Sequence, residues 1–235
     1  MSDAANRTLL ITGANRGIGL AMTERAVARG DRVIATARNP EEAERLNALA
    51  GLTGKVDLQK LDVTDEASVA AFAERLSKRP IDLLVANAGV LNSYDDIASD
   101  AHDEAAWRTV LMTNVFGPYA VIRALLPNLR RGQARKIAIL SSIMASSARA
   151  PGRAYPYRAS KAAATNLARN LAADLKAEGI AVGAYHPGWV RTDMGGPSAD
   201  IDVGQSAEGL LQRFDALSLE TTGAFEDYQG DPIAF

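Results

Sequence analysis

The chain contains no cysteine, only two histidines and few aromatic residues, and each scarcity narrows what it can be. Without cysteine there are no disulfides, no thiolate metal sites and no cysteine nucleophile. His102 and His186 are far apart and form no cluster with ligand spacing, so no metal is expected. The charges nearly cancel, 26 Lys and Arg against 28 Asp and Glu for a net −2, with no block of one sign. Neither a nucleic-acid partner nor an anionic membrane surface is expected for such a chain. No apolar run approaches the ~20 residues of a membrane span. Residues 1–7 are short and polar, unlike a secretory leader. A cytoplasmic protein is expected.

What the chain does contain is a regular alternation. Its 235 residues, 47% hydrophobic and 23% charged, suit one large domain. β-Rich runs at 8–12, 32–37, 55–61, 81–86, 136–140 and 180–186 alternate with helical patterns at 18–28, 40–50, 66–77, 104–131, 157–178 and 205–217. A short closing strand is expected within 223–235. Such alternation predicts a single α/β domain, a doubly wound parallel sheet of about seven strands with helices on both faces. Residues 91–103 are polar and irregular, and residues 187–196 form a Pro- and Gly-containing loop suited to fold over a ligand.

Tyr157 and Lys161 are four residues apart, one above the other on a helix, about 6 Å along its axis. A cation so placed favours the phenolate and brings a phenol of reference pKa ~10 into use as an acid or base. Ser141-Ser142 closes the strand 136–140 and is aimed at the same region. Tyr-x-x-x-Lys alone is as readily a surface pair, so its placement has to decide.

Five further strand ends surround it. Gly13-Ala14-Asn15-Arg16-Gly17-Ile18-Gly19 joins a strand to a helix, where backbone N–H groups and the helix dipole can meet a phosphate. Its G-x-x-x-G-x-G spacing departs from the generic dinucleotide fingerprint. The second strand ends at Arg38 with no carboxylate at its tip, and Arg16 lies in the glycine loop. An arginine there accommodates a ribose 2′-phosphate, which favours NADP(H) over NAD(H). Asp62 is either an adenine acceptor or a turn residue, and Thr64 or Asp65 can cap the next helix. Asn87-Ala88-Gly89 closes the fourth strand, and Pro187 follows the sixth. Within 104–131, Asn114 and Gly117-Pro118 interrupt the helix, since a proline at 118 frees a carbonyl near 114.

In this order and spacing the chain resembles the short-chain dehydrogenase/reductase family along nearly its whole length. The matching segments are Thr12 to Gly19, Asp62 to Asp65, Asn87 to Gly89, Asn114, Ser141-Ser142, Tyr157 with Lys161, and Pro187-Gly188 through Thr192. His186 to Met194 and Asp227-Tyr228 with Gly230 are similar to the branch of NADPH carbonyl reductases that includes C-factor. The resemblance implies a Rossmann-like domain and a small-molecule carbonyl or alcohol substrate. It assigns Tyr157 to proton transfer, Lys161 to the nicotinamide ribose and the tyrosine pKa, and Ser142 to the substrate oxygen, with Ser141 a rival. Asn114 would hold a water linking Lys161 to solvent. Gly13, Asn15, Arg16, Gly17, Ile18 and Gly19 would cradle the cofactor, with Arg38 at its 2′-phosphate. Asp62 and Val63 would meet adenine, Asn87, Ala88 and Gly89 the adenosine side, and Pro187, Gly188, Val190 and Thr192 the carboxamide end. The resemblance also implies a homodimer or homotetramer through the helices from 104 and 157. Ser142 and Tyr157 are 15 residues apart, longer than the family's common spacing, so the loop between them must bulge.

Tyr155 lacks a lysine four residues on. An apolar pocket of Met144, Tyr155, Trp189 and Met194 is expected. His186 reads as a packed strand-end residue rather than a catalytic one. The competing function, from another class, is a dinucleotide-binding regulatory or signalling protein with incidental turnover.

Overall fold

The computed structural model describes residues 7–235; the leading segment, expected not to be a secretory leader, lies outside them. Seven strands form one parallel sheet: β1 (Thr8–Ile11), β2 (Arg32–Ala37), β3 (Val56–Lys60), β4 (Leu83–Ala86), β5 (Lys136–Leu140), β6 (Ala181–His186) and β7 (Phe225–Asp227). Their order is β3-β2-β1-β4-β5-β6-β7, so the direction of winding reverses between β1 and β4. A crevice opens at the strands' carboxyl ends at such a reversal.

Alternation along each strand divides the core in two. Leu10, Ile34, Leu84, Ile137 and Ile139 point to one face. Leu9, Ile11, Val33, Val85 and Ala138 point to the other. The first face is covered by α3 (Glu66–Leu76), α5 (Gly117–Leu129) and α6 (Tyr155–Leu175), through Phe72, Leu125 and the small residues Ala164, Ala168 and Ala172. The second is covered by α1 (Gly17–Ala28), α2 (Glu44–Thr53) and α7 (Val203–Ala216), through Met22, Leu46 and Phe214. Each large side chain so buried contributes roughly 1.5–3 kcal/mol.

Three local readings change. The helix expected from residue 40 is a 3₁₀ turn, Pro40–Glu42, followed by α2. Asp65, not Thr64, caps α3, accepting from Ala67 N. The stretch from 104 divides into α4 (Glu104–Leu111), a π turn (Met112–Phe116) and α5. Pro118 has no N–H for the residue 114 carbonyl, and Gly117 N instead donates to Met112 O, five residues back.

The whole helical path, Glu104–Leu129, is long and apolar enough to cross a membrane, contrary to the expectation that nothing approaches such a span. Scattered polar residues keep it from reading as one run. Its Val121, Ile122, Leu125 and Leu129 are spent on the core beneath the sheet.

Candidate active site

The glycine loop is shaped by contact. Gly13 has φ +64, and a Cβ there would stand 3.0 Å from Ala88 Cα. A Cβ on Gly19 would fall 2.5 Å from Gly13 O and 2.6 Å from Asn87 Nδ2. Only residues without side chains let the turn close on itself here. Asn87 Nδ2 donates to the carbonyls of Thr12 and Gly13, and Thr12 Oγ1 accepts from the N–H groups of Asn87 and Ala88. The ends of β1 and β4 are thereby locked on either side of the sheet's switch point. Ala14 N donates to Thr36 O at 2.9 Å and ties the same loop to β2.

These segments border one cleft of about 1000 Å³. Gly13, Asn15, Arg16, Gly17, Ile18 and Gly19 line it at one end, with Arg38, Asp62 and Val63 beside them. Asn87, Ala88, Gly89, Tyr157, Lys161, Pro187 and Thr192 line the rest. Gly188 and Val190 are not on its wall. Gly188, at φ +86, leaves room for Ile201, and Val190 is buried and bridged to Ile201. Asp62 is engaged locally, its Oδ1 accepting from Thr64 N and Oγ1. Burial works to raise its pKa, yet those two donors and the charge of Arg38 hold it below the usual value. Arg16 is paired with Asp193 at 2.9 Å.

At the other end Ser141, Tyr157 and Lys161 line the cleft, while Ser142 is off its wall but close to Tyr157. The long spacing between Ser142 and Tyr157 is taken up by two 3₁₀ turns, Ile143–Ala145 and Ser147–Arg149. Left-handed backbone at Gly152, Arg153 and Ala154 follows them. Helix α6 then starts at Tyr155, two residues earlier than its spacing predicts.

Ser142 caps the first turn, its Oγ accepting from Met144 N at 3.1 Å. Its proton is left to point elsewhere, and the hydroxyl lies near enough to Tyr157 to pull that pKa down. Ser141 borders the cleft, but its hydroxyl is engaged with protein groups, 2.5 Å from Thr165 Oγ1 and 3.3 Å from Lys161 O.

Lys161 Nζ lies 5.6 Å from the Tyr157 ring centroid and donates to Leu140 O at 2.8 Å. Asn114 is buried behind them. Its Oδ1 accepts from Val90 N, and its Nδ2 donates to Val90 O and Ser160 Oγ. The side chain is fully engaged with protein groups.

The ionisation of the pair differs from the sequence expectation. Burial pushes the Tyr157 phenol up to about 12, against the smaller opposing pull of Ser142. Burial also drives the Lys161 ammonium down to about 8. Desolvation is the leading cause of both shifts, and the lysine does not bring the phenol towards neutrality here.

Of the expected apolar pocket, Met194 lines the cleft. Tyr155 faces His102, edge to face at 5.7 Å. His186 is buried with an unpartnered Nδ1. Thr12 and Asp193 lie in matching segments, but their partners, like that of Leu140, are distant in sequence and no spacing rule marks them out.

The model of the short-chain dehydrogenase family matches residues 7–201. The chain belongs to that family. This short-chain dehydrogenase is 41% identical over 165 residues to the C-signal of Myxococcus xanthus, covering 69% of this chain and 98% of that protein. Among solved structures, it is similar to an NADPH-bound carbonyl reductase from chicken fatty liver, at 34% identity and a TM-score of 0.91 over 98% of this chain and 100% of the other. It is also similar to a carbonyl reductase from Pseudomonas aeruginosa PAO1 in complex with NADP. There identity is 31%, the TM-score 0.83 and the coverage 97% and 100%.

Proposed function

We propose that the protein is an NADP(H)-dependent carbonyl reductase that interconverts a small ketone or aldehyde and its alcohol, with Tyr157 as the proton donor. The reading is carried by one observation: the buried Tyr157 and Lys161 stand in the same cleft as the glycine loop, with Ser142 beside Tyr157.

The residues present fit such a cofactor. The tightly closed glycine loop lines the cleft at the start of α1, and Arg16 and Arg38 supply the cationic end that a 2′-phosphate needs. The solved relatives named above carry NADP(H). When bound, NADPH supplies the hydride.

The chain's own residues supply the rest. With its pKa near 12, Tyr157 holds its proton at neutral pH, ready for a carbonyl oxygen. Ser142 donates to the same oxygen and steadies the charge that develops there. Lys161 spends one N–H on Leu140 O and keeps two for the ribose hydroxyls. Asn114 holds the 90 loop against α6, which places Gly89 beside Lys161. The exposed Leu111 and Tyr119, on α4 and α5, are the surface through which a homo-oligomer would form.

The test is NADPH and NADH oxidation, followed by absorbance, against a panel of aldehydes and ketones. Turnover with NADPH preferred is expected. Tyr157→Phe should lose it by at least about 10³-fold while binding NADPH as wild type does. A folded, cofactor-binding protein that reduces nothing in the panel would count against the reading.

A signalling role is the second reading, favoured by the name of the Myxococcus xanthus relative. It predicts that Tyr157→Phe leaves the biological effect intact.

A further inference from the structure

Arg16 stands immediately before α1, and Asp193 lies 177 positions later in the loop after β6. Arg16 Nη1 donates to Asp193 Oδ2 at 2.9 Å, with the side chains 70% and 81% exposed. Both border the cofactor-sized cleft, and their pair joins the glycine loop to the loop after β6 at its edge.

The two sides of this clasp are held in place. On the far side, Val190 is bridged to Ile201 and Arg191 Nη1 donates to Ala199 O at 2.9 Å. Gly195 N donates to Thr192 Oγ1 at 3.1 Å. Thr192 Cγ2 rests 3.4 Å from where a Cβ on Gly17 would stand, so the two loops touch. On the near side, Ala14 N bonds Thr36 O, two residues before Arg38. Arg16 and Arg38 thus stand on segments that are tied together. Among the described residues Arg38 makes no ion pair, whereas Arg16 is already neutralised by a carboxylate.

That asymmetry sets up a competition. A phosphate monoester carries about −1.5 to −2 charge near neutral pH and seeks arginine. It can recruit Arg16 only by displacing Asp193, and it meets that carboxylate's repulsion as it arrives. A nucleotide without the 2′-phosphate has no such need.

We propose that Asp193 is a specificity-determining residue for the nucleotide, holding Arg16 in reserve and weakening NADP(H) selectively against NAD(H). This rests on the NADP(H) reading above. Asp193 also gives the phosphate an exit, because it retakes Arg16 as the cofactor leaves.

The test is equilibrium binding, followed by quenching of the protein's tryptophan fluorescence. NADPH and NADH are titrated into the wild type, Asp193→Asn, Arg16→Gln and the double variant, at low and high ionic strength. Asp193→Asn should tighten NADPH by about two- to fivefold, the range an exposed ion pair supplies. NADH should change by less than about 1.5-fold, and salt should erase the NADPH gain. In the Arg16→Gln background the gain should vanish, which separates the clasp from a general change of field.

Equal tightening of both nucleotides, weaker NADPH binding by Asp193→Asn, or a gain that survives without Arg16 would each overturn the proposal. A wild type that binds neither nucleotide would defeat the cofactor reading itself and this inference with it. A wild type that binds both, with no discrimination gained in Asp193→Asn, defeats the clasp alone.

Discussion

Lys161 Nζ donates a 2.8 Å hydrogen bond to the carbonyl of Leu140, the last residue of β5. A buried ammonium on α6 is thereby fastened to the strand that leads into Ser142. The bond satisfies one of its three protons but not the cost of taking the charge out of water.

That cost has a pH signature. Folding takes Lys161 from 10.5 to about 8. Between those values the unfolded chain holds a proton the folded protein has released, so stability rises with pH. Tyr157 acts oppositely. Its pKa goes from 10.0 to about 12, the unfolded chain ionises first, and stability falls as pH climbs between them. Denaturant titrations from pH 8 to 12 should show a rising limb on the order of 3 kcal/mol that Lys161→Met removes. The later fall should be smaller in Tyr157→Phe. Identical slopes in wild type and Lys161→Met would mean that the ammonium is not desolvated.

His186 governs the acid side. Burial lowers it from 6.5 to about 4 despite the opposing charge of Asp227, and Nδ1 lacks a partner. The folded protein stays neutral there while the unfolded chain takes up a proton, so stability is present above 6.5 and is lost as pH falls towards 4. In acid denaturation series, His186→Gln should flatten this slope, whatever it does to the absolute level. An unchanged slope would refute the assignment.

The serines separate by role. Ser141→Ala removes a buried hydroxyl bonded to Thr165 and should cost about 1 kcal/mol of stability, with turnover kept within about threefold. Ser142→Ala removes the cap on Met144 N, should cost a similar ~1 kcal/mol, and should lower turnover by about 10²–10³-fold. Kinetics and thermal melts on both variants check this, and a large turnover loss in Ser141→Ala with little in Ser142→Ala would exchange the assignments.

Asn114→Ala strands the N–H and carbonyl of Val90 and removes the donor to Ser160 Oγ, which keeps its own bond to Tyr157 O. A loss of about 2–4 kcal/mol is expected from denaturant curves. A loss below about 0.5 kcal/mol, the range of ordinary surface changes, would show that water replaces the side chain.

Legibility followed the range of the interaction. The strands of the sheet were readable because a buried parallel strand is a short apolar run with β-branched residues, and Leu9, Leu10 and Ile11 state it locally. The glycine loop was readable from its place between a strand and a helix. Boundaries shifted by up to four residues where backbone geometry intervened, as at α2. At α6, the left-handed Arg153 and Ala154 set the start at Tyr155. The π turn needed Gly117 N to reach Met112 O, a bond no composition rule states.

What the sequence by itself determined was the alternation that makes the sheet, the family, and the presence of Tyr157 four residues before Lys161. Those are properties of neighbours along the chain, set by periodicity and turn chemistry. What only the tertiary structure decided was the state of those groups. It turned Ser142 towards Tyr157 and Ser141 towards Thr165, and it closed Arg16 onto Asp193. It also let burial, rather than the lysine, set the phenol's pKa. Burial and long-range pairing settle such matters, and both depend on which segments the fold brings together.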